Sequence, residues 1–483
     1  MYTTESPWPE HKPQSVVFLL DADTPLQQQM LRDWIEQHRP GGVEYQVCTV
    51  SQTAAGLSTA GLQALKEAPD HAYLVPLRVL WYPKQRQGQR QLVWKDFIFG
   101  DPRTPGKLRQ QWIHRFDASR SAPLAAEGAT LGDLKARIAK KNPDLAEDAE
   151  ALLVFISRQA LLTLERAARG IRGARYKMPK LIAEEVLSKP ALVQQLAEEA
   201  ERSGKSAESV KEYALQCLKE IAATPTTLAL DLLAGLGRYL YTRGFDPEIQ
   251  MAPEDLERIR KLSDERPVAF LMTHKSHLDG FLLNTLFHDL NLPPVHTFGG
   301  INMNFAGFGT LFRRSGAIFI RRSFENDQVY KSVFAQYMDY LVEKRFPLLW
   351  ALEGTRSRTG KLMPPRYGLI RYVVDSYLRN ASNDLVLMPI SIVYDQVPEV
   401  KDYARLQSGA KKRPESASWF MQYISGLKNP FGKIHVRFGE GVALSAVVGE
   451  GKPDTAGTKF DLQKIAFELS VDANHVTPAT ATS

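Results

Sequence analysis

The sequence predicts an α/β protein, with a sheet and covering helices over residues 251–450. A helical region over 129–250 and a small α/β region over 1–128 precede it, and 451–483 read as a tail. Three observations carry this. Strand-like and helix-like patterns alternate from residue 266 onward, residues 130–250 show mostly helical periodicity, and 483 residues exceed one ordinary core. Hydrophobic residues at 44% and charged residues at 24% are ordinary for a globular chain.

In the first region VVFLLDAD reads as a strand and PLQQQMLRDWIEQH as a helix. VEYQVCTV and HAYLVPLRVLWYP read as further strands, and YPKQRQGQRQLVWKD as a polar turn. The region is expected to be a structural or docking module. The N-terminus has no basic leader, and VVFLL is too short for a signal peptide. Two cysteines, Cys48 and Cys217, make no disulfide framework; both are expected in the core, in a reducing compartment.

In the helical region ALVQQLAEEAERS and SAESVKEYALQCLKEIAA carry many charges. TPTTLALDLLAGLGRYLYTRGF, 224–245, is apolar, and reads either as a buried helix or as an interfacial membrane helix. No run of about 18 apolar residues predicts a spanning helix. Beyond 266, PVAFLMT, PPVHTFG, GAIFIRR, PLLWALEG, LVLMPISIVYD and KIHVRFGEGVAL read as extended. HLDGFLLNTLFHDL, QVYKSVFAQYMDYLVEK and YGLIRYVVDSYLRNA read as helices. In such sheets a site lies beyond the carboxyl ends of the strands.

THKSHLDG, 273–280, sits at one such strand end. Ser276-x-x-Asp279 before an apolar run reads as a capping box. His274 with Asp279 reads as a general base whose tautomer a carboxylate fixes. His-x-x-His-x-Asp, with His277, offers a metal reading, but no further ligands stand at zinc spacing, so no metal is expected. No Gly-x-Ser-x-Gly elbow makes Ser276 a nucleophile.

From Arg313 to Arg371 twelve Lys and Arg face five Asp and Glu, so this eighth of the chain holds an excess equal to the net +7 of the whole. Such a concentration suits an anionic substrate, and arginine forks suit phosphate. In ALEGTRSRTGK, 351–361, Gly354 lets backbone approach a ligand while Thr355, Arg356, Ser357, Arg358 and Lys361 supply donors. The spacing is not that of a P-loop. No aromatic residues are interleaved among these arginines, which weakens a nucleic-acid reading.

These blocks, in this order, resemble the bacterial membrane-associated glycerol-3-phosphate 1-O-acyltransferases, with the dihydroxyacetone-phosphate acyltransferases as near relatives. The blocks are His274-x-x-x-x-Asp279, GAIFIRR (316–322), EGTRSR (353–358) and MPISIVYD (388–395), with GGINMNF (299–305) in addition. VPLRVLWYP and WKDFIFGDPRTPGKLR resemble the N-terminal region of those enzymes. The resemblance implies an acyltransferase sheet in which His274 and Asp279 are catalytic. It implies substrate-binding roles for Arg321, Glu353, Gly354, Arg356, Ser357, Arg358 and Pro389. The implied reaction moves a fatty acyl group from acyl-CoA or acyl carrier protein to glycerol 3-phosphate, giving lysophosphatidate, with no cofactor and no nucleic acid. The implied place is peripheral, on the cytoplasmic face of the inner membrane, with 224–245 and AGFGTLF (306–312) as surface contacts. Larger family members continue past the final segment, so this chain is read as a short form or an incomplete sequence. The rival readings are acylation of dihydroxyacetone phosphate or lysophosphatidate, a non-catalytic basic module for anionic lipid or polyphosphate, and a metal-dependent phosphohydrolase.

Overall fold

The computed structural model describes residues 2–480 apart from 12, 51–64, 66, 87–88, 91, 93–95, 97–98, 142–147, 301–307, 322, 325, 380, 410–416, 428–429 and 449–460. Most of GGINMNF, the start of AGFGTLF, Arg322 and part of the polar turn near residue 90 lie outside the described residues. The chain forms two compact units, Met1–Gly173 and Ala174–Ser483. The helices expected over 129–250 are divided between them.

The first unit holds β1 (Ser15–Asp21), β2 (Glu44–Val50), β3 (Tyr73–Trp81), the short hairpin β4 (Gln85–Arg86) and β5 (Gln89–Arg90), β6 (Ser121–Ala125) and β7 (Ala129–Thr130). Its sheet runs β2-β1-β3-β6, with β7 also on β3. The helices are α1 (Pro25–Gln37), α2 (Lys107–Phe116), α3 (Leu131–Lys141) and α4 (Ala149–Arg172). Thr24 caps α1 by accepting from the Gln27 amide. Successive β1 side chains go to opposite faces. Val16, Phe18 and Leu20 pack with Leu31, Trp34 and Ile35 of α1, whereas Val17 and Leu19 pack with Leu153, Ile156 and Ala160 of α4.

The second unit holds β8 (Val268–Met272), β9 (His296–Gly300), β10 (Ala317–Ile320), β11 (Leu348–Ala351), β12 (Val386–Tyr394), β13 (Ile434–Phe438) and β14 (Val442–Ala443). The order is β10-β9-β11-β8-β12-β13, with β14 also on β12. The first five are parallel, and β13 and β14 run antiparallel to β12. Every residue of β8 and β12 is buried, because helices cover both faces. These helices include α5 (Pro190–Ser203), α6 (Ala207–Ile221), α7 (Thr227–Thr242), α8 (Pro253–Glu265), α9 (Leu278–Asp289), α10 (Gln328–Glu343), α11 (Gly368–Leu378), α12 (Val400–Gln407) and α13 (Leu462–His475).

Ala269, Leu271, Leu348 and Trp350 face α6, α10, α11 and α13; Phe270, Met272, Leu349 and Met388 face α7 and α9. The segment 451–483, expected as a tail, thus contributes Ile465, Ala466 and Leu469 of α13 to the core. Cys48 and Cys217 are both buried, as expected.

The apolar stretch 224–245 forms α7, whose Leu230, Leu233, Ala234 and Leu240 are buried while Leu232 and Tyr239 are 37% and 50% exposed. It lies close against α9: a Cβ at Gly237 would stand 2.1 Å from Thr285 Oγ1. No described helix is long and apolar enough to cross a membrane.

Candidate active site

Strand β8 ends at Met272, and the chain turns through Thr273–His277 into α9. Asp279 closes this turn on itself. Its Oδ2 accepts from the amides of Lys275 (2.7 Å) and Ser276 (2.9 Å) and meets His274 Nδ1 at 2.8 Å. Its Oδ1 accepts from the Tyr394 hydroxyl of β12 at 2.6 Å. The expected capping box is thus not formed as such: the N-cap position is His277, without a side-chain cap bond, and one carboxylate instead both fixes the turn before the helix and orients the imidazole. A carboxylate facing Nδ1 makes that nitrogen the donor and leaves Nε2 as the acceptor. Asp279 is fully buried, whereas the His274 side chain keeps 22% of its surface.

His274 lines a cavity of about 520 Å³, together with His277, Gly280, Phe281 and Asn284, one stripe along α9 and its approach. Met272 and Ala351, at the carboxyl ends of β8 and β11, also line it, as do Phe298–Gly300 of β9. Leu233, Phe281, Phe298 and Phe312 give it apolar surface, and Gly354, Thr355, Arg356 and Arg358 after β11 give it cationic, amide-rich surface. Gly354 takes φ +66°, and a Cβ there would press on the Arg366 side chain at 2.8 Å, so glycine fits this turn.

The structure thus gathers His274, Gly354, Arg356 and Arg358 on one cavity, with Asp279 behind His274. It does not place Arg321, Glu353, Ser357 or Pro389, also expected to bind substrate, on that lining. Arg321 is held by Glu220 of α6 (2.6 and 2.8 Å) and Asp327 (2.8 Å), and lies over the Tyr330 ring. Glu353 is buried and accepts from the amides of His274 (3.3 Å) and Met363 (3.2 Å); burial pushes its carboxyl up. Ser357 donates its amide to the His274 carbonyl (2.7 Å) and its hydroxyl to the Lys361 carbonyl (2.6 Å). These two residues join the 353–361 turn to the histidine turn. Pro389 lies inside β12, paired with Leu271 of β8.

Residues without a sequence signal complete the frame. Glu399, buried just before α12, accepts from the Ser276 hydroxyl (2.9 and 3.1 Å) and the His277 amide (2.8 Å). Burial raises its carboxyl above the usual range. The Tyr403 hydroxyl donates to the Lys275 carbonyl (2.7 Å) and accepts from Arg356 (3.3 Å), so it links the two turns. Burial lowers the Lys275 ammonium. His277 stacks edge-on against Tyr423, with ring centroids 5.6 Å apart. Among the described residues no group of three His, Cys, Asp or Glu is arranged to hold a metal ion.

The family described as Acyltransferase matches residues 253–393, and the one described as Glycerol-3-phosphate acyltransferase C-terminal region matches 403–483. A putative acyltransferase, plsB1, of Mycobacterium tuberculosis (strain ATCC 25618 / H37Rv) is 35% identical over 284 residues, 59% of this chain and 45% of that protein. A glycerol-3-phosphate acyltransferase of Pseudomonas fluorescens is 34% identical over 269 residues, 56% of this chain and 32% of that protein. The matched part thus spans less than half the length of either relative. The crystal structure of the 1-acyl-sn-glycerophosphate (LPA) acyltransferase PlsC from Thermotoga maritima is 14% identical, covering 51% of this chain and 78% of that one. Its TM-score of 0.29 is too low to bear on the fold. Over residues 253–483 the chain is thus similar to glycerol-3-phosphate acyltransferases, through two adjoining domain matches and these relatives.

Proposed function

We propose that the protein is a glycerol-3-phosphate 1-O-acyltransferase, taking the acyl group from acyl-CoA or acyl carrier protein. One observation carries the reading: His274, held by Asp279, lines the same cavity as Arg356 and Arg358. His274 Nε2 takes the proton of the 1-hydroxyl, and the oxygen attacks the thioester carbonyl. The tetrahedral intermediate collapses with loss of the C–S bond, and the thiolate recovers the proton from the imidazolium that Asp279 stabilises. The product is lysophosphatidate and a free thiol. Arg356, Arg358 and the Gly354–Thr355 backbone hold the phosphate, and Leu233, Phe281, Phe298 and Phe312 receive the acyl chain. Glu353 and Ser357 position the histidine turn rather than touch substrate.

An amphiphilic product suits action at a membrane surface, on the cytoplasmic face of the inner membrane. The exposed Leu232 and Tyr239 of α7, beside Arg238 and Arg243, support such contact.

The test is thiol release from palmitoyl-CoA with and without glycerol 3-phosphate, on wild type and His274→Ala. Release should require the acceptor, yield lysophosphatidate, and fall roughly 10²–10⁴-fold in the variant. Acceptor-dependent release that survives in a folded His274→Ala protein would remove the base from the mechanism. Dihydroxyacetone phosphate in place of glycerol 3-phosphate tests the nearest rival acceptor.

A further inference from the structure

Helix α2, KLRQQWIHRF, belongs to the first unit, which neither family match reaches. It is anchored by one face. Gln110 and Ile113 are buried, and the Gln110 side chain meets Thr24 Oγ1 (2.7 Å) and the Pro105 carbonyl (2.8 Å). Arg109 ties the helix to Asp96 at 2.6 Å. Opposite that anchored face, Leu108, Trp112 and Phe116 are 82%, 54% and 65% exposed, and Phe99 is 70% exposed. At 3.6 residues per turn, the positions i, i+4 and i+8 fall within an arc of about 80°. Three large apolar side chains in one exposed stripe are more than the scattered hydrophobics an ordinary surface carries.

Within the helix the charge has one sign, although Asp117 directly follows it and Asp96 is paired with Arg109. Gly106–Phe116 contains no acidic residue, and Lys107, Arg109 and Arg115 flank the apolar arc. The Arg115 guanidinium lies 5.5 Å from the Phe116 ring centroid, beside the stripe. Arg90, over the Tyr82 ring at 3.6 Å, donates to the Ser119 carbonyl at 3.4 Å, which sets another cation just past the end of the helix. An exposed Leu-Trp-Phe face with cationic flanks matches an anionic lipid interface. Apolar side chains enter the acyl boundary, the tryptophan sits at headgroup level, and the cations meet lipid phosphates.

We infer that α2 is a lipid-docking helix, which seats the first unit on anionic bilayers through Leu108, Trp112 and Phe116 with Lys107 and Arg115. This stands apart from the acyl-transfer reading, since lipid binding is read without turnover.

The experiment is co-sedimentation of the full chain with vesicles of equal parts phosphatidylglycerol and phosphatidylcholine, at low and high salt. Wild type should bind. Leu108→Ser/Trp112→Ser/Phe116→Ser should weaken partitioning about tenfold or more, because each exposed side chain loses its insertion. Lys107→Gln/Arg115→Gln should weaken binding at low salt and bring it to the wild-type level at high salt, where surface charge is screened. The substituted side chains are exposed, and an unchanged thermal melt verifies that each variant is folded. A wild type that fails to sediment, or a folded triple variant that sediments as wild type does, overturns the proposal. Either result would leave the stripe to a protein partner.

Discussion

Asp279 has every acceptor site it needs filled: His274, two amides and the Tyr394 hydroxyl. A buried carboxylate is tolerated because these donors replace water. Asp279→Asn keeps the volume but offers a single acceptor oxygen, so His274 loses its fixed tautomer. The expected result is a fall in kcat of about 10²–10⁴-fold with the KM for glycerol 3-phosphate little changed. Arg358→Ala is expected to do the reverse, raising that KM about tenfold or more, because a charged hydrogen bond to phosphate contributes about 1.5–3 kcal/mol. Steady-state kinetics of both variants separate the roles; a KM rise in Asp279→Asn equal to that in Arg358→Ala would contradict them. Tyr403→Phe probes the link between the two turns. It removes a donor from the Lys275 carbonyl and an acceptor from Arg356 together, so kcat and KM should both move.

At the scale of elements, α7 and α9 form the wall beside the site, and their contact carries a pH-sensitive knot. His288 Nε2 meets Asp231 of α7 at 2.7 Å and its Nδ1 meets Asp289 at 3.3 Å, while Tyr176 also donates to Asp231. Burial alone would lower the His288 pKa, but the hydrogen bonds to Asp231 and Asp289 outweigh it and hold it above 6.5. A raised folded pKa means the contribution is fully present below the unfolded value and is lost as pH rises through the folded one. Wild type should therefore exceed His288→Gln in stability by about 1–3 kcal/mol near pH 6 and by less near pH 9. Denaturant melts at both pH values check this, and a gap that grows with pH would contradict it. Helices α7, α9, α10 and α11 were legible in the sequence as apolar runs of helical length, whereas the more polar α2, α8 and α12 were not. The site was legible where chemistry is contiguous: His274 to Asp279, and Gly354 to Arg358. Glu399 and Tyr403 were not, since their bonds to the histidine turn span 123 and 128 residues of chain and no local pattern marks them; Tyr394 lies in the MPISIVYD block, but its bond to Asp279, 115 residues away, is visible only in the fold. Arg321 is the converse. A cation directly after an apolar strand reads as a ligand for anions, but its carboxylate partner Glu220 stands 101 residues earlier, on a helix that only folding brings near.

On the scale of the whole molecule, the hydrophobic clusters respect the division into units. Those around β1–β3 draw only on residues before 174, and those around β8–β13 draw only on residues after it. The cavity lining and both family matches also fall within Ala174–Ser483. A domain with its own core folds by itself, and helices on both faces of the second sheet leave it no missing layer. Residues 174–483 expressed alone should therefore melt cooperatively and retain acceptor-dependent thiol release within about tenfold of the full chain, measured on soluble palmitoyl-CoA below its micellar range. By the same reasoning the isolated piece should lose vesicle binding that depends on α2, so the two functions separate in one preparation. A fragment that does not fold would show that the second core needs the first unit; a folded fragment without turnover would give the first unit a part in catalysis itself.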